Sequence, residues 1–313
     1  MSKRTTAAGI VLVVASLCAG CSDSDTGAGA TTTANADVWA PQGASTSAGA
    51  GSTVQTLPID GNNAAFVLHV PAGLTGKAPT VIVLHGANGN GAQIERVTGM
   101  SELADANRFL AAYPDETSVE GVQALIRKLT TDHDADPARI YVAGISRGGA
   151  NAQGVGCRLS GQVAAIASLS SGLPDNVLDN CMLDKPLPVM LIHGTADPIV
   201  PFEGGVPNTP NARKYGYRTL SEPDTLDFWR RQDGCGGDTT VTEVPGTEGT
   251  VSRTTGGPCA DNVAVALYSV LGGGHTWPGG SAAQEQYTGT LGALNTKFDA
   301  SQAIWDFFSG KPR

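Results

Sequence analysis

The chain has 313 residues, with 20 Lys and Arg against 29 Asp and Glu, a formal charge of −9. That length accommodates one large domain or two small ones. An acidic chain without a Lys/Arg cluster excludes nucleic acid as the expected partner and mildly favours a neutral substrate over an anionic polymer.

At the N-terminus Lys3 and Arg4 precede an apolar segment, residues 9–19, followed by small residues. The segment is too short to span a bilayer, so residues 1–20 read as a secretory signal peptide. Ala19-Gly20-Cys21 also resembles the cleavage box of a bacterial lipoprotein, which would acylate Cys21 and give the chain a lipid anchor. Cys18 stands where such boxes usually carry Leu, and cleavage by the ordinary signal peptidase is the alternative. Loss of Lys3 and Arg4 with the leader moves the charge from −9 to −11. Residues 21–54 are dominated by Ser, Thr, Gly and Ala, cannot bury apolar surface, and read as a flexible tether.

The remaining chain, 55–313, alternates strand and helix patterns. Residues 65–70 alternate like a strand, and 80–84 form a short apolar strand ending at His85-Gly86. Residues 94–106 have helical spacing, 109–113 read as a strand stopped by Pro114, and 119–132 place Val122, Leu125, Ile126 and Leu129 on one helical face. Strands follow at 139–143, 163–169, 188–192 and 263–270, with helices at 224–232 and 300–308. Such alternation predicts an α/β fold with a mostly parallel sheet covered by helices on both faces. Ligands then bind beyond the carboxyl ends of the strands.

Cys157, Cys181, Cys235 and Cys259 form an even set in an exported domain, which points to disulfides. Of three possible pairings, Cys157–Cys181 and Cys235–Cys259 are expected because both are local, each stabilising by about 3 kcal/mol. Among these four cysteines there is no C-x-x-C spacing and the chain has no H-E-x-x-H, so zinc is not suggested, and no cofactor is expected.

Gly144-Ile145-Ser146-Arg147-Gly148 lies between the strand at 139–143 and a segment that can begin a helix. A Gly-x-Ser-x-Gly turn in that setting bends sharply and exposes the serine hydroxyl above the sheet. A serine at neutral pH needs an imidazole to take its proton and a carboxylate to orient that imidazole. His69 lies inside a strand, His133 reads as a solvated helix-end residue, and His85 and His193 each end a strand before a glycine. His275 instead follows three glycines, 272–274, directly after the last apolar strand, and is the candidate base. Asp197, just past the strand at 188–192, is the candidate acid and preserves the chain order Ser, Asp, His. Asp184 would sit at the opposite end of the sheet, while Asp224 and Asp227 fall at a helix start and suit its dipole. The oxyanion hole is expected to combine the backbone N–H groups of Arg147 and Ala87, with Asn88 in reserve. Gly89 and Gly91 fit a loop with unusual backbone angles, or ordinary turn chemistry.

Leu84-His85-Gly86, Tyr113-Pro114-Asp115, the stretch 136–142, Gly144-Ile145-Ser146-Arg147-Gly148-Gly149-Ala150, His193-Gly194-Thr195-Ala196-Asp197 and Gly274-His275-Thr276-Trp277-Pro278-Gly279-Gly280 together resemble secreted feruloyl esterases and polyhydroxybutyrate depolymerase-like proteins. The resemblance spans about residues 55–310. It implies an α/β-hydrolase of the carbohydrate-esterase type with Ser146 as nucleophile, Asp197 as acid and His275 as base. It also implies cysteines at the four positions above, and an ester substrate derived from a polymer: feruloyl or acetyl esters of plant polysaccharide, or else a polyester. Members usually carry a longer segment after the equivalent of Tyr113-Pro114-Asp115. Here Glu116 to Val119 makes the connection, which implies a more open site.

Overall fold

Apolar runs that alternate between two covered faces build the middle of the protein. The computed structural model describes residues 49, 51–59 and 61–311. The leader expected at 1–20, Cys21 and nearly all of the 21–54 tether therefore lie outside the described residues. Ten strands form one sheet: β1 (Ser52–Ile59), β2 (Asn62–His69), β3 (Ala78–Leu84), β4 (Leu110–Pro114), β5 (Ala135–Ile145), β6 (Ala165–Leu169), β7 (Val189–Gly194), β8 (Thr240–Glu243), β9 (Val251–Thr255) and β10 (Val265–Val270). Their order is β1-β2-β4-β3-β5-β6-β7-β10-β9-β8. The run from β4 to β10 is parallel, while β1, β2, β9 and β8 pair antiparallel at the two margins.

Side chains alternate along a strand, so each central strand feeds two cores. Ile82, Leu84, Ile140 and Val142 enter one, and Val81, Val83, Tyr141 and Ala143 enter the other. Both faces favour apolar residues, which is why these strands read as nearly continuous apolar runs. The helices are α1 (Gly91–Thr98), α2 (Met100–Asn107), α3 (Val119–Asp132), α4 (Arg147–Leu159), α5 (Asp175–Leu178), α6 (Pro210–Tyr215), α7 (Glu222–Gln232), α8 (Thr288–Leu291) and α9 (Ala300–Ser309). Leu125 and Leu129 of α3, Val155 of α4 and Trp229 of α7 close the first core. Ile94 of α1, Met100 of α2 and Trp305 and Phe308 of α9 close the second, where Phe109 stacks on Trp305 at 4.1 Å between ring centroids. This is the α/β-hydrolase arrangement. Among the described residues no helix is long and apolar enough to cross a membrane.

Three departures from the expected elements have physical causes. The helix expected over 94–106 is two helices, because Gly99 takes φ +61 and caps α1 with its N–H on the carbonyl of Glu95. Spacing alone does not reveal such a break, since the apolar face continues across it. The strands β1, β8 and β9 were not expected. β8 is exposed throughout and β1 buries only Leu57 fully, so neither carries an apolar period. The tether expected to reach residue 54 stops earlier, since Ser52, Thr53 and Val54 pair with His69, Leu68 and Val67.

Both expected disulfides are present, Cys157–Cys181 and Cys235–Cys259. The first ties α4 to the turn after α5, and the second joins the segment after α7 to the approach to β10. Beside the second bridge, Asp233 accepts the Leu187 N–H on Oδ1 at 2.8 Å, while its buried Oδ2 has no partner among the described residues. Burial pushes its carboxyl up to about 7, and the Leu187 hydrogen bond offsets this only in part.

An acid whose folded pKa exceeds its unfolded one stabilises the fold while protonated; that contribution is complete below about pH 4 and lost as pH rises through about 7. Asp233→Asn is therefore expected to gain in Tm relative to the parent as pH rises from about 4 to about 8. Thermal melts across that range check this, and a pH-independent difference would contradict it.

Candidate active site

Ser146 joins β5 to α4 at φ 59, ψ −123, a backbone conformation that side-chain-bearing residues rarely adopt. Strain of this kind persists only where the surroundings over-determine it. Here the Ser146 N–H donates to the Leu169 carbonyl at 2.9 Å, and its own carbonyl accepts from Ala150 at 2.9 Å. The flanking glycines are required by contact. A Cβ on Gly144 would lie 2.3 Å from the Gly148 carbonyl oxygen, and one on Gly148 would lie 2.3 Å from that of Leu84. Beneath the turn, the buried Gln153 of α4 donates to Ser171 O at 2.8 Å and accepts from Trp229 Nε1 at 3.0 Å. Gln153 thereby anchors the helix to the end of β6 and to α7.

Contact between Gly148 and the end of β3 brings the loop after His85 against the start of α4. Arg147 is the first residue of α4, where backbone N–H groups have no intrahelical acceptor, and its side chain is exposed. Ala87 is half-buried within a turn closed by the Gly89 N–H on the Gly86 carbonyl. The unusual backbone angle in this loop belongs to Asn88, at φ +58, rather than to Gly89 or Gly91. Gly91 is needed for space, since a Cβ there would lie 2.1 Å from Tyr113 O. His85 braces the loop, with Nδ1 2.7 Å from Gly86 O and Nε2 3.1 Å from Asp115 O. Asp115 accepts the Gly91 N–H at 2.8 Å. Residues 115–118 make the whole connection from β4 to α3.

Asp197 and His275 meet directly: His275 Nδ1 donates to Asp197 Oδ2 at 2.7 Å, with both side chains at most 1% exposed. Their loops are pressed together at a point where only glycine fits, because a Cβ on Gly194 would lie 2.3 Å from Gly273 O. Ala196 N–H to Gly273 O, at 3.0 Å, and Gly272 N–H to Thr195 Oγ1, at 2.9 Å, fasten the two loops. Asp197 Oδ1 accepts the N–H groups of Ile199 and Val200, each at 2.8 Å. Burial would raise the Asp197 carboxyl, but the imidazoles of His275 and His193 outweigh it and hold the group well below the usual carboxylate range.

The sheet register carries Ser146 to the same edge. Ile145 of β5 pairs with Leu169 of β6, Leu169 with Ile192 of β7, and Gly194 with Val270 of β10. Ser146, Asp197 and His275 therefore all follow carboxyl ends of parallel strands, with β6 between the serine's strand and β7.

Two residues that the sequence reading passed over complete this edge. His193 Nε2 lies 3.2 Å from Asp197 Oδ2, and its Nδ1 lies 2.5 Å from Glu222 Oε1. The spacing His193-Gly194-x-x-Asp197 was the available signal. Glu222 gave none, since an acid in a first helical turn beside Pro223 looks like an ordinary dipole partner. Asp224 does occupy the first turn of α7, whereas Asp227 pairs with Arg230 at 3.0 Å. His133, expected to be solvated, is half-buried with Nε2 lacking a partner among the described residues, and burial foremost lowers its pKa. No group of His, Cys, Asp and Glu suited to a metal ion occurs among the described residues.

The profile of the phospholipase/carboxylesterase family matches residues 114–216, a third of the chain that includes the elbow and Asp197. NocK of Nocardia uniformis subsp. tsuyamanensis, assigned as an esterase, is 28% identical over 84% of each chain. Feruloyl esterase B of Piromyces equi is 25% identical over 67% of this chain, and the match spans 42% of that longer protein. Among solved structures, acetyl xylan esterase from Aspergillus awamori superposes with a TM-score of 0.53 at 12% identity, covering 76% of this chain and 98% of that one. The chain is an esterase-type serine hydrolase with the α/β-hydrolase fold, distantly related to several esterase groups.

Proposed function

We propose that this protein hydrolyses carboxylic esters through an acyl-enzyme on Ser146. The observation that carries the reading is the strained Ser146 elbow on the same sheet edge as the buried Asp197–His275 pair. Because Nδ1 of His275 is committed to Asp197, Nε2 is the nitrogen left to take the Ser146 proton. The serine oxygen attacks the ester carbonyl, and the backbone N–H groups of Arg147 and Ala87 receive the negative charge that develops on its oxygen. Collapse expels the alcohol with the proton from His275. Water then gives a proton to His275 and attacks the acyl-enzyme, releasing the acid and restoring Ser146.

Feruloyl or acetyl esters of plant polysaccharide are the substrate class. The sequence blocks around Ser146, Asp197 and His275, and the match to a feruloyl esterase, support this. Polyester is the second arm of the test, since the resemblance extends to depolymerases of that class. Two disulfides suit export into an oxidising compartment, in keeping with a leader over residues 1–20 and a lipid on Cys21.

Ser146→Ala is expected to lower hydrolysis of a p-nitrophenyl ester by roughly four orders of magnitude while leaving the thermal melt near that of the parent. An active variant would remove the proposal. Ferulate and acetate should be released from feruloylated arabinoxylan and acetylated xylan in preference to 3-hydroxybutyrate from polyhydroxybutyrate. The reverse order, measured by product chromatography, would move the assignment to polyester. Cells fed labelled palmitate should incorporate it into the parent chain and not into Cys21→Ser; an unlabelled parent would point to ordinary signal-peptidase cleavage.

A further inference from the structure

No step of that mechanism uses His193 or Glu222, yet both are buried behind Asp197. His193 Nε2 lies 2.9 Å from the Val200 carbonyl oxygen and 3.2 Å from Asp197 Oδ2. A carbonyl oxygen only accepts, so Nε2 carries a hydrogen. Nδ1 lies 2.5 Å from Glu222 Oε1. A ring protonated at Nε2 alone would turn a bare lone pair toward a carboxylate oxygen at that distance, which is repulsive. A second proton must lie between the two.

The surroundings place that proton on the ring. The side chains of His193, Glu222 and Asp197 are 0%, 2% and 0% exposed, so water does not screen their charges. Glu222 Oε2 has no hydrogen-bond partner among the described residues, so the carboxyl group meets the ring through Oε1. Burial by itself would push the imidazole down, but the charge of Glu222, the hydrogen bonds to Asp197 and Glu222 and the charge of Asp197 raise it to about 10. The ionisable groups facing His193 are Glu222 from the first turn of α7 and Asp197 from the loop after β7. The Phe202 ring meets it edge-on at 5.7 Å. Asp197 in turn faces His193 and His275, the latter from the loop after β10.

We infer that His193, kept charged by Glu222, is a positioning residue: its imidazolium fixes Asp197 by a second donor on Oδ2 and tempers the pull of that carboxylate on the His275 proton. The inference rests on the reading of Ser146, Asp197 and His275 as a triad. With Glu222 neutralised, burial drives the His193 charge out. Asp197 then faces His275 with its full negative field, and His275 holds its proton to higher pH.

Two measurements test this. Nitrogen-15 NMR of the intact protein should show His193 with both ring nitrogens protonated from about pH 5 to about pH 9, a range in which an unperturbed histidine titrates. A neutral His193 at about pH 7 overturns the inference, and this reading needs no variant to fold. Glu222→Gln should displace the acid limb of kcat/KM upward by about half a pH unit or more. A role confined to packing would lower activity or Tm without moving that limb, so an unmoved or lowered limb also overturns it. The NMR measurement needs no turnover, so the two readings fail separately. An active Ser146→Ala enzyme sinks the triad and leaves the His193 spectrum as it is. A neutral His193 beside an inactive Ser146→Ala enzyme sinks the charged clamp alone.

Discussion

A parallel sheet buried on both faces has no place for reactive side chains except the ends of its strands. From β4 to β10 the apolar side chains of the central strands are committed to one core or the other. The polar groups of the candidate site gather at the carboxyl edge, where the chain turns out of the sheet. The elbow at Ser146, the loop at Ala87, the turn at Asp197 and the glycine run before His275 are four exits from that one edge. Close approaches fix their relative placement: Gly148 against β3, Gly91 against β4, and Gly194 against Gly273. A methyl group at any of them would separate the loops that carry the site.

The same edge concentrates charge. Asp197 accepts four hydrogen bonds on two oxygens, two from backbone amides and two from imidazoles, with no exposed side-chain surface. A buried carboxylate is costly unless its acceptors are satisfied and its charge is balanced. Here both conditions hold, and the group remains ionised despite its burial. Placing Glu222 behind His193 carries that compensation one residue further, from the loop after β7 to the start of α7. The acid that orients His275 is thus held by an alternation of charge rather than by a single contact.

Much of this was legible in the residues. The central strands could be read because burial on both faces demands unbroken apolar runs, and α3 because its buried stripe recurs at helical spacing. Ser146, Asp197 and His275 stood out because each lies where a strand pattern ends in a tight turn. Elements that bury little left no such trace: β8 is exposed along its length, and β1 buries only Leu57 fully and begins within the tether expected over 21–54. Gly99 divides a helix whose apolar face runs on unbroken, so periodicity reported one element where there are two.

Local pattern by itself determined the alternating α/β order, the serine elbow and the placing of Ser146, Asp197 and His275 each at the end of a strand. These depend on hydrophobic period and turn chemistry, which neighbouring residues specify. The strand order, the antiparallel margins and the partners of Asp197 were decided only by tertiary structure. His193 and Glu222 are separated by 29 positions, and nothing at either one announces the other. Only the packing of α7 against the end of β7 brings a carboxylate to that imidazole, and only burial there gives their charges the strength to act on Asp197.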